Sequence, residues 1–458
     1  MSLLRKVNRQ DNGRINVHEK YGFKYNPFPN KTSISLFDPN PKNNGSIYVP
    51  DVRKSEINQF NRILIPSKTN HEPKQIAFLM DYATRKGRGI GKTSFLNYQR
   101  KKIQADFGDE ISEGTEVIMA VLVSPSPDTN YKRFYSITKL IIESMIDQNL
   151  FENAYYRLKV FTDLIDSTIV AKAESEGIEK LSNAEWLKQE HLAIGITDYD
   201  DHSVGIRIKQ NLIRKGVNND LANTIAYFGF NSLFVRKYFF DKVNEIFWKQ
   251  EGNELLFNDL AILFQEAGIT KFIILFDELE KIVPNQNAAE RRNFCDILRY
   301  YFMDGNCENS RSSFYHILFV IHPYLQELLI PHWEASGLQR FAALGGDLSE
   351  NYTVLFESFN DNNSIPLAQA YLNDAQINNQ VINSLSPFTE DALKEALKKT
   401  LGVPGKYLTL LHTAIEKGIE LNWETIDIEQ IKLVETPKID NTSDDNDETP
   451  LTELKTDF

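Results

Sequence analysis

The sequence predicts an α/β fold: a three-layer sandwich around a mainly parallel central sheet, with a small helical domain towards the C-terminus. Three observations carry that expectation. Apolar runs without alternation recur at residues 76–80, 116–124, 271–276 and 314–321, the pattern of parallel strands covered on both faces. The first run leads into Lys86-Gly87-Arg88-Gly89-Ile90-Gly91-Lys92-Thr93-Ser94 and then Phe95-Leu96-Asn97-Tyr98-Gln99, a glycine-rich loop followed by a helix start. The third run ends in the acidic pair Asp277-Glu278.

With 458 residues the chain exceeds one ordinary core, so two or three domains are expected. Hydrophobic residues at 41% and aromatics at 11% suffice to bury them. No apolar run is long enough to cross a bilayer, and Met1-Ser2-Leu3-Leu4-Arg5-Lys6 lacks the apolar stretch of a signal peptide. Cys295 and Cys307 are the only cysteines, without metal-ligand spacing or a disulfide framework, so a reducing cytoplasm is the expected setting and no membrane is involved. A net charge of -12 argues against a general nucleic-acid coat, since duplex binding rests on neutralising phosphates with Lys and Arg. A local basic face on an oligomer stays open.

Taken in order, residues 1–20 are polar and are expected to be flexible. Tyr21-Gly22-Phe23-Lys24-Tyr25-Asn26-Pro27-Phe28-Pro29 suits an extended strap, because each proline biases its predecessor away from helix. Ile57, Phe60, Ile63 and Leu64 recur at helical spacing. A helix is expected over 133–148, and residues 150–224 form a helical insertion without strong strand signals. Further helices fit 237–249, 256–265 and 288–303, and a strand fits near 352–356. Residues 21–385 are thus assigned to one core domain. From 386 the texture changes: Thr389 caps a helix to about 399, Gly402-Val403-Pro404-Gly405-Lys406 interrupts, and helices from 407 and 425 follow, making a bundle over 386–435. Residues 436–458 form an acidic tail with too little apolar surface to order itself.

The glycine-rich loop carries the clearest chemistry. Gly87, Gly89 and Gly91 let backbone N–H groups crowd towards phosphate oxygens at a helix N-terminus, where those donors lack helical partners. Lys92 would reach the β- and γ-phosphates, and Thr93, with Ser94 beside it, would face Mg²⁺. Lys86 stands where the usual loop has its first glycine. Asp277, at a strand's carboxyl end, would hold Mg²⁺, and Glu278 would orient and deprotonate a water. The plainer alternatives are a flexible glycine turn and an acidic strand end; loop and pair in one chain favour the chemical reading.

These pieces together resemble the AAA+ superfamily of P-loop ATPases, in particular the branch of replication-initiator (origin-recognition) ATPases and ATPases that regulate DNA transposition. The similarity covers most of residues 21–435. Asn26-Pro27-Phe28, with Tyr48-Val49-Pro50 and Arg53-Lys54-Ser55-Glu56, is similar to the segment leading into that branch's adenine pocket. The resemblance implies a P-loop NTPase core with a helical lid over 386–435, and ATP and Mg²⁺ as cofactors. It implies that His322 occupies the sensor 1 place and that Arg340, in Leu338-Gln339-Arg340-Phe341, acts as an arginine finger on a neighbour's ATP, with Arg291 and Arg292 as rivals. Gly402-Val403-Pro404-Gly405-Lys406 looks like the sensor 2 stretch with Lys406 after the position of the usual arginine. A lysine keeps the charge but loses the forked geometry.

The function expected from all this is an ATP-hydrolysing assembly switch. ATP would sit at the subunit interfaces of a homo-oligomer, in a DNA-linked process such as mobile-element control or phage defence. The alternative is a scaffold that binds nucleotide structurally and recruits a partner protein through residues 150–224 or the acidic tail.

Overall fold

The computed structural model describes residues 16–31, 34, 38–68, 73–81, 89–126, 129, 131–161, 175, 201–240, 250–304, 313–377 and 384–436. Lys86, Gly87, Cys307, the 437–458 tail, much of the 150–224 insertion and residues 241–249 of the helix expected over 237–249 lie outside them.

The described residues form α1 (Lys54–Leu64), β1 (Ile76–Asp81), α2 (Lys92–Asp106), β2 (Ile118–Val123), α3 (Phe134–Asp147), α4 (Leu150–Phe161), α5 (Asp201–Arg214), α6 (Asn219–Phe228), α7 (Ser232–Phe240), α8 (Gln250–Glu266), β3 (Lys271–Phe276), α9 (Ala288–Phe302), β4 (Tyr315–Val320), α10 (Pro323–Ser336) and β5 (Thr353–Phe356). Then come α11 (Asp361–Ala375), α12 (Glu390–Lys399), α13 (Pro404–Glu420) and α14 (Ile428–Leu433).

The fold is α/β, with a five-stranded sheet in the order β2-β3-β4-β1-β5 and every strand pair parallel. β1, β2 and β4 are buried at every position, so both faces of the sheet are covered, as their unbroken apolar runs require. In register, Ala120 pairs with Ile273, Ile274 with Ile317 and Phe78 with Phe319, which brings the carboxyl ends of β1, β3 and β4 to one edge.

The chain divides into two compact units. One holds Arg53–Gly87 and Lys92–Glu357, and the other holds Met1–Val52, Arg88–Gly91 and Ser358–Phe458. In the first, strands β1 to β4 and helices α3 to α10 share one continuous apolar core. Leu150, Leu158, Ile208 and Leu221 of the expected insertion belong to that core, so these helices are integral to the unit.

The second unit corrects three expectations. The strap does not join the core domain: Phe23 and Phe28 are buried with Tyr371, Phe388 and Leu411. Its start is also ordered, since residues Val17–Tyr21 form a 3₁₀ turn capped by Asn16. Tyr21 donates to the Trp423 carbonyl at 2.7 Å, and Asn26 donates to the Glu416 carboxylate at 2.6 Å. Tyr21 approaches α13 so closely that a Cβ on Gly418 would lie 2.6 Å from its hydroxyl. The unit also begins earlier than 386. α11 precedes that boundary, with Asn360 and Asn363 forming a reciprocal capping box.

Thr389 caps α12 as expected, accepting from the Ala392 N–H. α13 starts at Pro404 rather than 407, because proline at a first helical position has the right φ and lacks only a donor that would be unpaired. Among the described residues no helix is long and apolar enough to cross a membrane.

Candidate active site

β1 ends on Asp81, β2 is followed by Ser124, β3 by Asp277 and Glu278, and β4 after one further residue by His322. Five polar side chains thus stand at the carboxyl edge of a parallel sheet, where α/β folds bind ligands. Gly89 and Gly91 hold φ of 81° and 95° just before α2, values that glycine alone adopts without strain. α2 then opens with Lys92, and the first N–H groups of a helix are unpaired donors.

Lys92 is 9% exposed, and its Nζ lies 3.5 Å from Oδ2 of Asp81, which is fully buried. Thr93 donates its hydroxyl to Oδ2 of Asp277 at 2.6 Å, while Oδ1 accepts the Glu278 N–H at 2.9 Å. The loop threonine and the strand-end aspartate, 184 residues apart in sequence, are therefore in direct contact. Burial, followed by the neighbouring Glu278 charge, pushes the Asp277 carboxyl up to about 6, against the opposing effects of the Thr93 hydrogen bond and Lys92. A buried carboxylate raised in this way gains from a cation. Mg²⁺ takes one or two protein oxygens and fills its shell with waters and phosphates, so the Thr93 and Asp277 oxygens fit it. Among the described residues no group of three or more His, Cys, Asp or Glu forms a separate metal cage.

Glu278 adopts a left-handed backbone, φ 49° and ψ 44°, a conformation that costs a non-glycine residue about 1–2 kcal/mol. Such strain is a feature of functional positions. Its Oε2 accepts from Ser124 Oγ at 3.2 Å and pairs with the Lys281 ammonium. Glu280 follows in the same turn with Oε2 enclosed and without a hydrogen-bond partner among the described residues. Burial pushes its carboxyl up to about 7, with Asp277 and Glu278 adding to the rise.

The remaining expected residues are distributed differently. His322 is 7% exposed, and its Nδ1 accepts the Leu325 N–H at 3.3 Å, so the ring caps α10. Arg340 lies on a 3₁₀ turn past α10, exposed, with no side-chain partner among the described residues. Its rivals are engaged: Arg291 donates to the Val283 carbonyl at 3.1 Å, and Arg292 to both oxygens of Asp296. Lys406 is in the first turn of α13 in the other unit. Within that unit the neighbouring Gly405 N–H donates to the Gly89 carbonyl at 2.8 Å. Arg53 is buried against Glu56 at 2.5 Å, donates to the Glu357 carbonyl and stacks on Phe356, tying α1 to β5.

Sequence reasoning missed Asp81, Ser124, Glu280 and Lys281. Asp81 ends an apolar strand as Asp277 does, and that parallel was the available signal. No protein-family model matches the chain, and neither the curated proteins nor the solved structures give a match.

Proposed function

We propose that the chain is a Mg-ATP-binding ATPase of the AAA+ type that works as a nucleotide-dependent assembly switch. The observation that supports this most is the 2.6 Å contact between Thr93 and Asp277 beside a buried Lys92, after two glycines of positive φ. Lys92 would exchange Asp81 for phosphate oxygens and offset their charge. Thr93 and Asp277 would share the metal, which when bound supplies electrostatic polarisation of the phosphates. Glu278 would take the water proton as that oxygen bonds to the γ-phosphorus and the bond to the β,γ-bridging oxygen breaks, releasing ADP and phosphate. Exposed and without a side-chain partner among the described residues, Arg340 has the character needed to reach a neighbouring copy's nucleotide. In this reading the C-terminal helical unit corresponds to the family's lid, carrying Lys406, and a DNA-linked role follows from the resemblance alone.

The experiment is ATP turnover and sizing of the purified chain, with and without Mg²⁺ and duplex DNA. The reading expects Mg-dependent phosphate release and a larger species with a non-hydrolysable analogue. One observation favours the scaffold alternative: Lys92 is already paired to a buried carboxylate. Tight nucleotide binding without turnover or exchange would decide for it.

A further inference from the structure

Arg299 lies in the last turn of α9 and also reaches the end of α10. Its Nη1 donates to the Ser336 carbonyl at 2.6 Å, and its Nε donates to Asp304 Oδ1 at 3.0 Å. The Asp304 N–H donates back to the Arg299 carbonyl at 2.9 Å, so the two residues hold each other through side chain and main chain. The last carbonyls of a helix lack helical partners, and a cation at that end satisfies them. The planar fork of a guanidinium lets one residue serve the carboxylate and the carbonyl in fixed directions, which a lysine ammonium does not.

The residue after Ser336 shows how closely this arginine is packed. Gly337 ends α10 with φ 79°, and a Cβ there would lie 2.5 Å from Arg299 Nη1. Position 337 therefore needs glycine twice, for its left-handed backbone and for the guanidinium lying against it. The 3₁₀ turn Leu338–Arg340 starts at that point. The Arg340 N–H donates to the Gly337 carbonyl at 3.3 Å, Leu338 is fully buried, and Trp333 Nε1 donates to the Ala342 carbonyl at 2.8 Å. The turn is pinned before and after Arg340, which itself is exposed.

An arginine offered to another copy works only from a fixed base, because a displacement of about 1 Å costs on the order of 10²-fold in rate. Resting on the ATPase reading, with Arg340 acting in trans, we propose that Arg299 is a positioning residue for Arg340. It sets where α10 stops, and so the direction from which Arg340 meets a neighbouring copy's γ-phosphate. Its own guanidinium is committed to Ser336 and Asp304, so it acts through the turn and not on the phosphate.

The test uses the full-length parent, Arg299→Lys, Arg299→Gln, Asp304→Asn, Arg340→Ala and the double variant Arg299→Gln/Arg340→Ala. It measures Mg-ATP binding by equilibrium dialysis, melting temperature, and steady-state kcat and KM. The proposal expects both Arg299 variants to lower kcat by about ten- to 10²-fold with KM unchanged. Asp304→Asn, which loosens the fork without removing it, should lower kcat by a smaller factor. Arg340→Ala should lower it at least as far as the Arg299 variants. The double variant should equal Arg340→Ala alone, since a residue acting through Arg340 then has nothing left to lose. Parental kcat in every folded Arg299 and Asp304 variant overturns the positioning role. A further fall in the double variant, by the factor seen in the parent, also overturns it by marking general damage to the site. Parental kcat in Arg340→Ala overturns it too, by taking Arg340 out of the chemistry while the ATPase reading stands. Absence of Mg-ATP binding or turnover in the parent removes the ATPase reading itself, and the proposal with it, before any variant is compared.

Discussion

At the amino edge of the sheet, polar side chains are tied to main chain. His316 is fully buried with its ring nitrogens 2.9 Å from the Lys74 and Ser313 carbonyls, Lys271 donates to the Ser313 carbonyl at 3.0 Å, and Thr270 exchanges hydrogen bonds with the Val117 backbone. At the carboxyl edge His322 also caps main chain, but other polar groups pair with one another: Lys92 with Asp81, Thr93 with Asp277, and Glu278 with Ser124 and Lys281. Side chain to main chain bonds cannot be exchanged without disturbing the strands. Side chain pairs can be, and a ligand can replace either member. The titrations divide in the same way. Burial lowers His316 to about 4, keeping it neutral, whereas the carboxyls of Asp277 and Glu280 are raised to about 6 and 7. One edge holds the sheet together and the other keeps charge in reserve for a cation.

The largest effect expected is at the carboxyl edge. Glu278→Gln should cut ATP turnover about 10²–10⁴-fold while Mg-ATP binding persists, as measured by phosphate release beside dialysis. An unchanged rate would remove Glu278 from the chemistry. His316→Leu at the amino edge should do the reverse. It removes the one N–H that a neutral ring donates to a main-chain carbonyl and should cost about 0.5–1.5 kcal/mol in urea unfolding, with Mg-ATP affinity retained. If His316→Leu abolished binding without loss of stability, the division between the edges would fail.

Glu280 sharpens the comparison through pH. Its folded value lies above the ordinary carboxyl value, so the folded chain holds more protons, and stability rises as pH falls through about 7. Asp277 and Asp259, each near 6, act in the same direction lower down. His316, with its folded value near 4, withdraws stability below its ordinary 6.5. The nucleotide-free protein should therefore melt at higher temperature at pH 6.5 than at pH 8, and Glu280→Gln should flatten most of that slope. A slope unchanged in the variant would place its origin elsewhere.

The smallest effect belongs to neither edge. Gln99 on α2 is fully buried, and both amide atoms lack hydrogen-bond partners among the described residues. Gln99→Leu should be neutral or raise stability by up to about 1 kcal/mol in the same unfolding assay, since it removes unsatisfied polar atoms at similar volume. A clear loss of stability would mean that the amide is satisfied when the protein is in solution.

The strands were legible because parallel strands covered on both faces leave an apolar run that needs no partner to recognise. The Gly91-Lys92-Thr93 loop and Asp277-Glu278 were legible because their spacing is local. What stayed hidden depends on chain-distant neighbours. Asp81 is an ordinary strand-end acid until Lys92 lies 3.5 Å away. Lys281 is one more surface lysine until a 3₁₀ turn places it over Glu278. α11 was overlooked because Pro366 and a run of asparagines weaken its helical signal, although the Asn360–Asn363 capping box marks its start. The strap read as a loose end followed by a core segment, since nothing in residues 16–28 states that Phe23 and Phe28 insert among helices nearly 400 residues later.

The most direct test of the account is Mg-ATP binding by the parent, Thr93→Ala and Asp277→Asn proteins, titrated with and without Mg²⁺. The account predicts one bound nucleotide per chain in the parent, an affinity that rises with Mg²⁺, and loss of that Mg²⁺ dependence in both variants. Binding unaffected by either substitution, or no binding by a folded parent, would contradict it.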